Sequence, residues 1–180
     1  MSADGQPRFV VARVGRDAAR ARFAAADMTL LARCSRLFTP VRVRKLERVW
    51  MPCFLHEFEV RSRKGTGTVT TLIDAWSGAF SIVEKSWDAT TDPPREETFP
   101  PRLTESEAVA IAEKQLLNAV VLQRARGGTR PVVEGIIRTE LLHRPYWVLY
   151  YERWRGRLDI KVLDAVNGAI AGARTKDGIL

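Results

Sequence analysis

The apolar positions follow two spacings, and each half of the chain uses them in the same order. In the second half, LTESEAVAIAEKQLLNAVVLQRARGG puts Ala108, Ile111, Ala112, Leu116 and Ala119 on one helical stripe. Thr104 and Glu107 form an S/T-x-x-E capping box before it, and Gly127, Gly128 and Pro131 close it. Three β-rich runs follow: VVEGIIRTELL with a kink near Gly135, RPYWVLYYERW, and LDIKVLDA, which turns into AIAGA. Tyr146, Val148 and Tyr150 alternate with Trp147, Leu149 and Tyr151, so the central strand is apolar on both faces and predicts burial on both sides.

The first half repeats this order. Residues 16–37 carry Ala19, Phe23, Ala26, Leu30, Cys34 and Leu37 at helical spacing, and Pro40 stops them. VRVRKLERVW, MPCFLHEFEV, TVTTLIDA and AFSIVEKSW then read as four strands, with SRKGTGT as a hairpin loop. Pro52 matches Pro145, Phe54 matches Trp147, and Phe58 matches Tyr151. TLIDAWSGAF at 71–80 nearly repeats KVLDAVNGAI at 161–170. An ordered match of this kind is what an internal duplication predicts. In each copy the Asp should accept turn N–H groups, and the Gly should take a positive φ. Asp74 to Gly78 and Asp164 to Gly168 are therefore expected to be equivalent turns.

The stretch DATTDPPREETFPPR, 88–102, carries four of the nine prolines and reads as a linker or an extended crossover. The expected organisation is a first repeat at 1–87, this linker, and a second repeat at 103–180. The expected fold class is α+β. Two similar halves would each pack one helix on an antiparallel sheet of about four strands.

Residues 104–172 resemble a PepSY or PepSY-like domain in the T-x-x-E-A helix start at Thr104 to Ala108, the strand PYWVLYYE, the basic turn and VLDAVNGAI. Asn167 stands where Thr or Ser is commoner in that family. Residues 41–84 resemble it less closely, and the first helix lacks the acidic opening. The resemblance implies small PepSY/cystatin-like helix-plus-sheet modules that bind other proteins or inhibit peptidases. No catalytic residues come with it.

Composition bounds the partners. The 180 residues carry 29 Lys+Arg against 21 Asp+Glu, a formal charge of +8. Such a surface attracts nucleic acid, anionic lipid or an acidic protein, or is simply solvated. Arg42, Arg44, Lys45, Arg61, Arg63 and Lys64, beside Trp50, form a candidate polyanion surface. No RNP-type or helix-turn-helix motif accompanies them. Arg153, Trp154, Arg155 and Arg157 form the preferred candidate contact patch for a protein partner or for self-association, since Trp and Arg favour interfaces. Trp76 and Trp87 also fall at predicted turns or strand ends, where they cap a core or meet a partner. The chain shows no signal peptide and no run long enough to span a bilayer, so it reads as cytoplasmic. A chain trimmed of a leader would look the same.

No cofactor is expected, and the pattern argues against an enzyme. Cys34 and Cys53 lack CxxC spacing and leave a disulfide open without requiring it. With only His56 and His143 besides, a zinc site would need all four residues. Cys53 and His56 stand three apart on a strand and face opposite sides, so an ion pair of the nucleophilic type is not expected. His143 has no visible acid or nucleophile partner. Glu57 and Glu59 share a face, as a carboxylate pair would, but nothing marks a cleft. GTGT at 65–68 lacks the Lys-Ser/Thr ending of a phosphate loop. The expected function is a non-enzymatic binding or assembly module, with nucleic-acid association and peptidase regulation as the alternatives.

Overall fold

The computed structural model of the protein describes residues 6–26, 42–62, 65–83, 87–125, 132–152 and 157–171. The expected helical positions Leu30, Cys34 and Leu37 lie outside them. The elements run β1 (Arg8–Val10), α1 (Arg16–Ala26), β2 (Arg42–Ser62), β3 (Gly65–Asp74), β4 (Phe80–Val83), β5 (Ala89–Thr90), α2 (Glu105–Ala125), β6 (Val132–Glu152) and β7 (Leu158–Asp164).

This corrects the expected fold class. The strands do not form two sheets with one helix each. They form one seven-stranded mixed sheet in the order β4-β3-β2-β6-β1-β5, with β7 also on β6. Among the described residues strand far outweighs helix, so the sheet dominates. At its centre β2 and β6, each 21 residues long, pair antiparallel along their full length. Strands of globular proteins seldom exceed about ten residues.

The sequence reading broke each of these strands near its proline, and the hydrogen bonds show why neither proline breaks it. The Pro52 carbonyl accepts the Ala75 N–H at 3.0 Å, and the Pro145 carbonyl accepts the Ala165 N–H at 3.0 Å. In a strand, N–H and C=O of one residue point to the same edge. Each proline nitrogen therefore points where the neighbouring strand, β3 or β7, has just turned away. The missing N–H leaves no ladder bond unmade.

The helices do not lie on their own halves either. The Ala165 carbonyl, after β7, accepts N–H groups from Arg13 and Val14, both at 2.8 Å, just before α1. The Trp147 indole donates to the Val14 carbonyl at 2.7 Å. Ala19 and Phe23 of α1 then pack on Leu46, Trp147, Leu149 and Leu163. In the same way the Ala75 carbonyl, after β3, accepts Arg102 and Leu103 at 3.0 and 2.9 Å. Ala108, Ala112 and Leu116 of α2 pack on Phe54, Phe58 and Ile73. The capping box forms, with Thr104 N–H on Glu107 Oε2 at 2.8 Å and Glu107 N–H on Thr104 Oγ1 at 3.3 Å.

Alternate residues of β2 face the other way. Cys53 and Leu55 join Leu72 and Leu142, while Val49 and Met51 join Val148, Ile160 and Val162. Part of the cover for this face comes from 88–102 and its neighbours. Trp87 and Ala89 pack on the first group and Phe99 on the second. β5 pairs with β1, and Thr98 bridges Trp50 in parallel. The proline-rich stretch is thus laid on the sheet rather than strung between two sheets. Among the described residues no helix is long and apolar enough to cross a membrane.

Candidate functional site

The two Asp-Gly turns are built by the same bonds. Asp74 Oδ1 accepts the N–H of Trp76 at 2.9 Å and Ser77 at 2.7 Å, and Asp164 Oδ1 accepts Val166 at 2.8 Å and Asn167 at 3.4 Å. The N–H of Gly78 and of Gly168 returns to the Asp carbonyl at 2.9 and 2.8 Å. Their φ angles are 69° and 76°, in the left-handed region that glycine tolerates. The turns join edges of one sheet, so their role is to end β3 and β7 and to dock the two helix starts.

A polar cluster is buried between them. Arg144 makes an ion pair with Asp164, both side chains about nine-tenths buried, and its guanidinium lies 4.5 Å from the Trp87 ring centroid. Cys53 sits opposite Asp74, and Tyr146 opposite Asp164. Burial pushes the Cys53 thiol up to about 12; Arg144 pulls against this, while Asp74 and Asp164 add to it. The thiol is therefore protonated at neutral pH and is a poor nucleophile. Burial likewise raises Tyr146. Sequence reasoning missed this ion pair, for which the one signal is Arg144 standing just before an otherwise apolar run.

The histidines lie on the other face of their strands from this cluster. His56 is fully buried between Phe54 and Phe58, with Nδ1 3.1 Å from Thr139 Oγ1 and Nε2 without a hydrogen-bond partner. Burial lowers its pKa to about 4. His143 stacks on Phe9 at 5.1 Å, and burial lowers it too, against a hydrogen bond to the Phe99 backbone. Glu57 pairs with Arg138 at 3.9 Å, whereas Glu59 is exposed. GTGT belongs to β3 rather than to a loop. Among the described residues no group of three or more His, Cys, Asp or Glu side chains could hold a metal ion.

The candidate polyanion surface is not assembled. Arg42, Arg44 and Lys45 lie at one end of β2 and Arg61 at the other, about 55 Å apart along an extended strand at about 3.3 Å per residue. Arg63, Lys64 and the Arg42 side chain lie outside the described residues. Arg44 pairs with Glu152, Lys45 with Glu47, and Arg61 with Glu134. Trp50 is buried under Arg48, so its ring is closed to a base. Trp76 lies 3.8 Å beneath the Arg102 guanidinium and packs edge-on against Phe99.

Of the candidate contact patch, Arg153, Trp154 and Arg155 lie outside the described residues, and Arg157 is exposed just before β7. Beside it is an open groove of about 430 Å³, lined by Arg44, Lys45, Tyr150, Glu152 and Leu158. Leu158 is 66% exposed. Sequence reasoning missed Tyr150 as a surface group because it assigned the double-sided apolar strand wholly to a core, and it gave Leu158 no part in a site. Counting from the two prolines and the two Asp turns, the positions matching Tyr150, Glu152 and Leu158 are Glu57, Glu59 and Thr68. The fold therefore does not require an apolar groove at this end. Family models, curated proteins and solved structures were all compared with the chain, and none matches.

Proposed function

We propose that the chain is a non-enzymatic protein-binding or assembly module that makes contact through the β6–β7 end of its sheet. The observation that carries this reading is the open groove at Tyr150 and Leu158, whose apolar lining has no counterpart at the matching positions of the other end. Exposed apolar side chains ringed by charged groups are the ordinary make-up of a contact site. The resemblance of 104–172 to PepSY-like modules agrees with protein binding and makes a peptidase one partner to examine. The carboxylate partners of Arg44, Lys45 and Arg61 favour this reading over a nucleic-acid surface. The matched turns and crossed helices support an internal repeat whose two copies share one sheet.

The test places a photo-cross-linking residue at Leu158 and, separately, at Ile82, which is half exposed on β4 at the opposite edge. Cross-linking in an extract of the source cells should give discrete protein adducts from position 158 and none from 82. Light scattering on the purified chain separates a second copy from a different partner. Equal labelling from both positions would overturn the reading.

A further inference from the structure

We infer that His56 is an acid-sensitive latch for α2: protonation of its ring frees the helix and uncovers Phe54, Phe58 and Ile73. The repeat shows that the fold does not require a histidine here. His56 matches Leu149, which packs in the core under α1. The ladder neighbours of His56 are Thr139 and Thr71, whereas those of Leu149 are Leu46 and Lys161. The first half has thus set a polar row across three strands, at a place where the second half has leucines at its centre.

The row lies beneath α2. Phe54 and Phe58 flank His56 on the same face of β2, and both pack against Ala108, Ala112 and Leu116. His56 and Thr71 are fully buried there. The Thr71 hydroxyl is turned to the His56 carbonyl at 3.4 Å and not to the ring. Glu57 on β2 and Arg138 and Glu140 on β6 alternate to the opposite face. Glu105, Glu107, Glu113 and Lys114 of α2 are exposed. Among the described residues no carboxylate therefore faces the imidazole.

A protonated ring carries two N–H donors. Thr139 Oγ1 can accept one from Nδ1, but Nε2 has no partner among the described residues. A buried, unpaired charge is costly, so the charged ring favours any opening that hydrates it. The helix is the part that gives way. Its buried side chains against the sheet are two alanines and one leucine, while β2 and β6 are laddered along their full length. The closed state resists the proton until about pH 4, and the hydrated ring takes it near 6.5. Release therefore sets in below about 6.5 and is complete near 4. The chain then shows in acid an apolar surface that it hides at neutral pH.

Hydrogen exchange on the full chain at pH 7.5 and pH 5, corrected for the intrinsic exchange rate, tests the latch. At pH 5 Glu107 stays ionised, held below its usual range by the hydrogen bonds from Thr104. Amides of α2 should exchange ahead of the β2–β6 ladder at both pH values, and their protection should fall about thirtyfold on acidification. Amides of α1, which lies over Leu149, should stay within about threefold. His56→Leu and His56→Gln should each abolish the fall in α2; glutamine keeps a donor for Thr139 and serves if the leucine variant loses its circular dichroism spectrum. Equal losses in α1 and α2, or exchange of α2 in step with the central ladder, would mark a global response and overturn the inference. A fall in α2 that survives in the substituted chains would assign it to other titrating groups and overturn it as well.

Discussion

His56 should make the protein sensitive to acid, and the size of the effect follows from its burial. An unfolded histidine titrates near 6.5, whereas this one is held near 4 in the fold. Between those values the unfolded chain binds a proton that the folded chain refuses. Stability therefore falls as pH drops below about 6.5, and the loss levels off below about 4. At about 1.4 kcal/mol per pH unit, the gap amounts to ~3 kcal/mol at pH 4. That is a large share of a usual domain stability of about 5–15 kcal/mol. The perturbation is His56→Leu, because the matching position on β6 is Leu149, which packs in a core of the same sheet. Leucine loses the contact with Thr139, at about 1 kcal/mol, but that loss does not depend on pH. Urea unfolding at pH 7.5, 6.5, 5.5 and 4.5 gives the difference between variant and parent. His143 and the carboxylates are common to both chains and cancel. The variant should gain about 2.5 kcal/mol on the parent between pH 7.5 and 4.5. Parallel pH profiles would show that His56 titrates normally in the fold and that the reasoning from burial is wrong.

Arg144→Met should destabilise the chain by about 3–5 kcal/mol, because it leaves Asp164 buried without its cation, and adding Asp164→Asn should restore most of that loss in denaturant titrations. Gly78→Ala and Gly168→Ala should each lower stability by about 1–2 kcal/mol through the positive φ alone. At Gly168 a Cβ would also meet the Arg22 guanidinium, a flexible tip that can move aside, so the two losses should agree to within about 0.5 kcal/mol by thermal unfolding.

The parts of the fold legible in the sequence are those specified by neighbours in the chain. The α2 start is written in Thr104 and Glu107, and each Asp turn in a residue that bonds its own backbone. What was not legible depends on distant partners. Pro52 and Pro145 look like strand breaks until it is known that β3 and β7 leave their flanks at those points. The crossing of the helices rests on Ala75 and Ala165, small residues whose carbonyls carry no sequence signal. The basic run 42–64 looked like one patch only because β2 was expected to fold back on itself. As a single strand it sends its two ends apart, each to its own carboxylate partners. At the candidate site Arg157 was readable as a charge, but Tyr150 and Leu158 were not readable as surface. Period-two spacing tells which residues share a face and not whether that face is covered.

Met51 stands directly opposite Arg144 in the central ladder, one position before each proline. If two identical chains met at this register, as in a symmetric dimer, the residue on the axis would face its own copy. An arginine there would oppose an arginine at about 5 Å, in a buried setting where like charges repel strongly. A covalently joined chain escapes that restriction. It can set a thioether against a guanidinium and leave Arg144 free to choose one of the two flanking aspartates. The linkage through 88–102 thus permits a charge on the axis that self-pairing would forbid, and with it a distinction between the two ends of an otherwise matched sheet.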